Sequence, residues 1–283
     1  MAGDSADVWA HPELFKLDKE LRPTKVAGVP PDYFSETGQL WGNPIYDWAV
    51  HEKEKFAWWT MRLNHALETY DIVRIDHFRG IDRYYEIPAF AENATKGEWK
   101  AGPGKKLFAG IGDRSRFIAE DLGIMDEGVV ALREELGFPG MKVMLFAFDG
   151  NPKNDFLPAN IPENSVCYTG THDNDTVAGY VKSLSAEDLL LFRSRVAQAL
   201  QEQKKFIRLG KRPEEISEAL CKLVLSTKAN LAVLPVQDIL GLDNSARMNR
   251  PSTEHGNWCF RLERMPKGGI MHRLKRWIRV YRR

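Results

Sequence analysis

An α/β fold is what this sequence predicts, on two observations. Short apolar, β-branched runs that read as strands alternate with longer runs whose apolar residues recur every three or four positions. In addition, 43% of the 283 residues are hydrophobic, enough to bury a substantial core in one large domain or two smaller ones. No repeat and no low-complexity segment interrupts the alternation.

Taken in chain order, the first distinctive stretch is GVPPDYFSETGQLWGNP, residues 28–44, which mixes Pro, Gly and aromatics without periodicity. It reads as a long ordered loop of the kind that carries function. Phe56, Trp59, Leu63, Leu67 and Tyr70 then form a helical stripe that should pack on the strand after it, Ile72–Ile75. Further strands are expected at Arg116–Ala119, Lys142–Phe148, Ser165–Tyr168 and Leu231–Val236. Ser185, followed by Glu187 and Asp188, resembles a helix cap with acidic residues in the first turn, so a helix should run toward Leu200. Ile216, Leu220, Leu223, Val224 and Thr227 mark the next helix. A polar loop follows at residues 243–258. In the C-terminal run 270–283, Leu274, Trp277, Ile278 and Tyr281 share one face, with most arginines elsewhere, as in an outer helix with a solvated basic side.

Composition narrows the function. Forty basic and thirty-nine acidic residues leave a net charge of +1, which gives no reason to expect nucleic acid as a partner and fits a neutral substrate better. Cys167, Cys221 and Cys259 are far apart with no CxxC pair, which argues against a disulfide framework and a thiolate metal site and suits a reducing cytoplasm. The first residues, MAGDSADVW, lack the pattern of a secretory leader, and no apolar run approaches the roughly 18 residues of a membrane span, so no membrane partner is expected.

In a parallel α/β barrel the reactive groups sit where strands end. Three carboxylates are so placed: Asp76 closes DIVRID, Glu120 closes RFIAE and Asp173 follows VCYTGTH. Taken alone, an Asp or Glu at a strand end is more often a helix cap or a solvated loop residue than a catalyst. Arg74 lies two residues before Asp76, hence on the same side of the strand, where it would keep the carboxylate ionised and oriented; a structural ion pair is the other reading. His172 and Asp173 sit in THDND, which could be a self-bonded Asx turn; a metal site there lacks the EF-hand glycine and distal Glu. Tyr33, Phe34 and Trp41 could offer flat faces to sugar rings or could simply anchor the loop.

PPDYFSETGQLWGNP, VRIDHFRG, IAEDLG, PGMKVMLFAF, YTGTHDNDT, LPVQDILGL and ARMNRPSTEHGNW follow one another, from about Asp4 to Phe260, as they do in amylomaltases, the 4-α-glucanotransferases of glycoside hydrolase family 77. The resemblance implies a (β/α)8 TIM barrel with inserted segments that transfers α-1,4-glucan chains with retention of configuration. It implies that Asp76 is the nucleophile, Glu120 the acid/base and Asp173 the transition-state stabiliser that holds substrate hydroxyls. Arg74 and His172 match supporting residues, Tyr33, Phe34 and Trp41 match the loop covering the acceptor side, and His77 and Asn174 fall among the substrate contacts. The implied partners are an α-1,4-glucan donor and a glucose or maltooligosaccharide acceptor, with no cofactor and no metal, in the cytoplasm or, in a plant, the plastid. A retaining enzyme of this type places two carboxyls about 5 to 5.5 Å apart, one ionised and one protonated, so Glu120 is expected to titrate above Asp76.

Where family members carry a strand with a GDxP-like start, this sequence has MAG. Only about five barrel strands are legible, and an open barrel would expose an unpaired edge. Residues 1–283 are therefore expected to be the C-terminal part of a catalytic barrel lacking its first strands, with an active-site loop at 28–44 and a helical insertion at about 184–229. A missing N-terminal half is the expected partner. The alternative is a catalytically incompetent fragment that still binds α-glucan.

Overall fold

The computed structural model describes residues 1–31, 35–123, 125–203, 207–251, 253, 255–266 and 268–283. They fall into two compact units, Met1–Pro139 and Gly140–Arg283.

The first unit opens with α1 (Ala6–Ala10), whose first turn is closed by the Ser5 hydroxyl accepting from the Val8 amide. Strands β1 (Lys25–Val29) and β2 (Gln39–Pro44) follow, then α2 (Trp48–Lys53), capped by the Asp47 carboxylate. Helix α3 (Ala57–Thr69) buries the expected stripe at Leu63 and Leu67, with Phe56 buried just before it, whereas Tyr70 is exposed just beyond its end. Next come β3 (Val73–Ile75), the single turn α4 (Arg79–Asp82), β4 (Arg83–Pro88), β5 (Glu98–Ala101), β6 (Phe117–Ala119) and α5 (Glu127–Leu136). Strands β3 and β6 pair in parallel, with Arg74 opposite Ile118 and Ile75 opposite Ala119. Their apolar side chains join Phe78, Phe108 and Phe138 in one core, where the rings meet mostly edge to face.

Part of the stretch at 28–44 is strand, residues 28–29 in β1 and 39–44 in β2. Its ends form the antiparallel pair β1–β2, and β4 and β5 complete a four-stranded antiparallel sheet in the order β2-β1-β4-β5 that the alternation does not announce. Two features hide it. The register shifts between Val26 and Gly28, and a Cβ on Gly28 would stand 2.1 Å from the Gln39 carbonyl oxygen, so close pairing requires the glycine that reads as a loop signal. In β4, Glu86 is buried alongside Tyr85 and Ile87 because Lys16 pairs with it at 2.6 Å, which breaks the polar–apolar alternation.

The second unit contains β7 (Gly140–Val143), β8 (Ser165–Tyr168), α6 (Val177–Ser183), α7 (Ala186–Glu202), α8 (Pro213–Ser226), β9 (Leu231–Val233), α9 (Val236–Leu240) and α10 (Gly268–Tyr281). Strands β7, β8 and β9 pair in parallel. Two expected strands are shorter than their apolar runs. The run from Lys142 turns at Met144 into a 3₁₀ segment, Met144–Phe146, yet Met144, Ala147 and Phe148 stay in the core, so burial continues the apolar pattern after the strand has stopped. The run from Leu231 leaves the strand after Val233, ahead of Pro235, the residue that precedes α9. The Ser185 hydroxyl caps α7 by accepting from the Asp188 amide, as its sequence indicates. Helices α7 and α8 occupy the stretch expected to be helical, and α8 is buried along most of its length. Helix α10 docks on α8 through Trp277, which is 2% exposed and packs with Cys221 and Leu225; Ile278, expected on the same face, is exposed. The Arg283 guanidinium donates to the carbonyls of Leu225, Thr227 and Ala229 just where α8 ends, supplying partners to groups the helix leaves unsatisfied.

Candidate active site

Because β3 and β6 run in parallel and end in register at Ile75 and Ala119, the residues that follow, Asp76 and Glu120, leave the same edge of the pair. The Glu120 amide donates to the Ile75 carbonyl, extending the ladder by one step. Asp76 projects into solvent with its side chain 77% exposed, and Arg74 Nη2 holds its Oδ1 at 2.7 Å. This fixed cation two residues upstream is the arrangement the period-two geometry of a strand predicts.

The Glu120 carboxylate is held differently. Oε2 accepts from the backbone amide of His77 at 2.8 Å and Oε1 from the amide of Leu122 at 3.0 Å. His77 adopts a left-handed backbone with φ of 46°, uncommon for a side chain of this size. The next amide, that of Phe78, donates to the Glu120 carbonyl at 3.0 Å, so both the carboxylate and the main chain of Glu120 are bound to the turn after Asp76. Burial pushes the Glu120 acid above the usual carboxylate range; the two amides and Arg74 oppose this and the Asp76 charge reinforces it. The result is a half-buried carboxyl that holds its proton more firmly than an exposed glutamate, next to an exposed carboxylate paired with arginine.

The His77 ring meets the ring of Trp41, on β2, edge-on at 4.8 Å and 89°. Burial lowers its pKa, against the pull of Asp76 and with the push of Arg79, so the ring favours its neutral form. Trp41 keeps 41% of its surface exposed and anchors its indole N–H on the Gln39 side chain at 3.2 Å. Tyr33 and Phe34 lie outside the described residues.

In the second unit, β8 runs into a loop carrying His172, Asp173 and Asn174 before α6 begins. The Asn174 side-chain oxygen accepts from the amide of Thr171 at 2.8 Å and from its hydroxyl at 3.0 Å, the self-bonded Asx turn that the residue types suggested. Asp173 faces outward in that turn. Its Oδ2 stands 3.2 Å from His172 Nε2, and its Oδ1 accepts from Asn249 Nδ2 at 2.6 Å. Arg247 reaches the Asp173 carbonyl at 2.7 Å, the Asn249 amide donates to the His172 carbonyl, and Trp258 lies 5.1 Å from the His172 ring.

The structure thus gathers Trp41, Arg74, Asp76, His77 and Glu120 in the first unit, and His172, Asp173 and Asn174 in the second. Arg247, Asn249 and Trp258 carry no assigned role in the sequence reading, although all three belong to ARMNRPSTEHGNW. The signal was composition: an Arg, an Asn and a Trp in a long polar loop following a strand and a short helix.

The family model described as 4-alpha-glucanotransferase matches residues 1–266. A 4-alpha-glucanotransferase of Thermus thermophilus is 50% identical over 270 residues, covering 93% of this chain and 52% of the relative. The chloroplastic/amyloplastic 4-alpha-glucanotransferase of Solanum tuberosum is 45% identical over 261 residues, covering 91% and 43%. Among solved structures, the amylomaltase from Streptococcus agalactiae in complex with acarbose superimposes with a TM-score of 0.89 at 36% identity, over 100% of this chain and 56% of that one. That likeness, with the parallel strands at 73–75, 117–119, 140–143, 165–168 and 231–233, shows the α/β fold class of an incomplete TIM barrel. The chain spans about half the length of the curated relatives it matches.

Proposed function

Because the chain belongs to the 4-alpha-glucanotransferase family, glycoside hydrolase family 77, we propose that it carries the catalytic residues for transferring α-1,4-linked glucan segments between maltooligosaccharides by double displacement. The Asp76 carboxylate attacks the anomeric carbon of the donor while Glu120 gives its proton to the departing glycosidic oxygen. A glycosyl ester on Asp76 and a free 4-OH result. Glu120, now ionised, takes the proton of the acceptor 4-OH, whose oxygen attacks the same carbon and expels Asp76, so configuration is retained. Asp173, set by Asn249 and supported by His172, holds sugar hydroxyls more tightly as charge develops on the ring. Asn174 and His77 serve at the sugar as well, and Tyr33, Phe34 and Trp41 cover the acceptor side, where exclusion of water favours transfer over hydrolysis.

One observation carries this reading. Glu120 and Asp76 leave the same edge of the parallel β3–β6 pair, the one carboxyl half-buried and the other exposed beside Arg74, which supports a working pair of one proton donor and one ionised nucleophile. The acarbose complex of the Streptococcus agalactiae amylomaltase supports a glucan substrate. Among the described residues no helix is long and apolar enough to cross a membrane; a cytoplasmic site, or a plastid one in a plant, is part of the proposal. The test is incubation of the chain with maltotriose. Glucose together with maltotetraose and longer products is the expected outcome; glucose and maltose alone would make it a hydrolase, and no turnover would overturn the proposal for this chain.

A further inference from the structure

Asp238 lies on α9, is 2% exposed, and is not itself among the residues assigned to the sugar. Its carboxylate joins the two ends of the loop that carries His172 and Asp173. Oδ2 accepts from the hydroxyl of Thr169, immediately after β8, at 2.5 Å. Oδ1 accepts from the amide of Val177, the first residue of α6, at 2.8 Å. The Asp238 carbonyl in turn accepts from the Ser217 hydroxyl on α8 at 2.9 Å, so the clamp rests on a largely buried helix of this unit. Thr169 and Val177 are themselves fully buried.

We propose that Asp238 is a positioning residue for Asp173: by bridging Thr169 and Val177 it fixes the span of the 169–177 loop and hence the direction of the Asp173 carboxylate. A buried carboxylate is costly, and a structural core would be served as well by an apolar residue. What the carboxylate supplies is two acceptor oxygens aimed at two donors on either side of a functional turn. The Thr171–Asn174 bonds shape the turn from inside, but they do not fix where its ends lie.

The proposal rests on the role given above to Asp173, and its test separates the two. Three variants are compared with the wild-type chain: Asp238→Ala, Asp238→Asn and Thr169→Val. An asparagine at 238 can accept from Val177 with its oxygen and donate to the Thr169 hydroxyl, which can turn round, so the bridge survives without the charge. Amide hydrogen exchange read by mass spectrometry should be about tenfold or more faster across residues 169–177 in Asp238→Ala and intermediate in Thr169→Val. It should lie within about threefold of wild type in Asp238→Asn, with α7 unchanged in all three. Maltotriose transfer by Asp238→Ala should lose about 10- to 100-fold in kcat with KM altered less than about threefold, and Asp238→Asn should restore most of it. Unchanged loop exchange in Asp238→Ala and Thr169→Val, or acceleration spread equally over α7, would overturn the clamp. So would an Asp238→Asn variant as impaired as Asp238→Ala. If the wild-type chain transfers nothing, the functional reading falls while the exchange data still decide the clamp.

Discussion

The carboxylate of Glu120 accepts a 2.8 Å hydrogen bond from the backbone amide of His77, the residue that follows Asp76. A peptide group thus couples the proposed acid/base to the proposed nucleophile, and it does so through a left-handed residue whose conformation points its amide back across the β3–β6 edge. Strain at such a position is retained where the surroundings fix it, here by the bond to Glu120 Oε2 and by the Phe78 amide on the Glu120 carbonyl.

Burial raises the Glu120 pKa, so the acid keeps its proton to a higher pH than an exposed glutamate. The sign follows: kcat/KM should fall as pH rises through that raised value, an alkaline limb lying above the ordinary carboxylate range. The native state binds the extra proton in the same interval, so folding stability contributed by this group should also decline as pH rises across it. In Glu120→Gln the limb should vanish and kcat drop by about 10² to 10⁴-fold; the pH profiles of the two proteins on maltotriose provide the check.

Asn249 donates to Asp173 Oδ1 at 2.6 Å. Removing that bond with Asn249→Ala leaves a partly exposed carboxylate free to swing and to draw water, so the loss is moderate for a charge-assisted bond. We expect kcat/KM to fall about tenfold with the melting temperature nearly unchanged; steady-state kinetics alongside a thermal melt measure both.

Trp41 presents an exposed face and packs its edge against His77. Trp41→Ala should raise the acceptor KM by about 2- to 12-fold and increase the glucose released to water for each transfer, since an aromatic contact of this kind contributes about 0.5 to 1.5 kcal/mol. Product ratios with maltotriose and added glucose report it.

Much of this was legible in the sequence. The parallel strands reveal themselves as short, mostly apolar runs, interrupted by Arg74 in β3 and Lys142 in β7; the proposed residues Asp76 and Glu120 stand immediately after two of them, and Asp173 five residues after a third. The Arg74–Asp76 pair follows from alternation along a strand. What was not legible depended on partners distant in sequence. The antiparallel sheet was hidden by Gly28 and by the buried Glu86, whose burial makes sense only once Lys16 is seen beside it. Met144–Phe146 looked like strand because the core demands apolar side chains whatever the backbone does. Asn249 and Arg247 could not be assigned, since nothing in a single sequence ties them to a residue some 75 positions earlier.

Helix α10 supplies a test of packing apart from catalysis. Trp277 is buried against Cys221 and Leu225, with Lys222 and Arg273 over its ring. Trp277→Ala should destabilise the second unit by about 3 to 5 kcal/mol, read as a lower denaturant midpoint by circular dichroism.

Capture of the covalent intermediate tests the role of Asp76 most directly. A fluorinated glucosyl fluoride that forms the glycosyl-enzyme faster than it is released is incubated with the chain, and the digest is read by mass spectrometry. One glycosyl group is expected on the peptide containing Asp76, absent in Asp76→Asn, with Asp76→Asn lowering transfer by at least about 10⁴-fold. A label on the peptide of Glu120 or Asp173, or an Asp76→Asn variant that transfers like wild type, would contradict it.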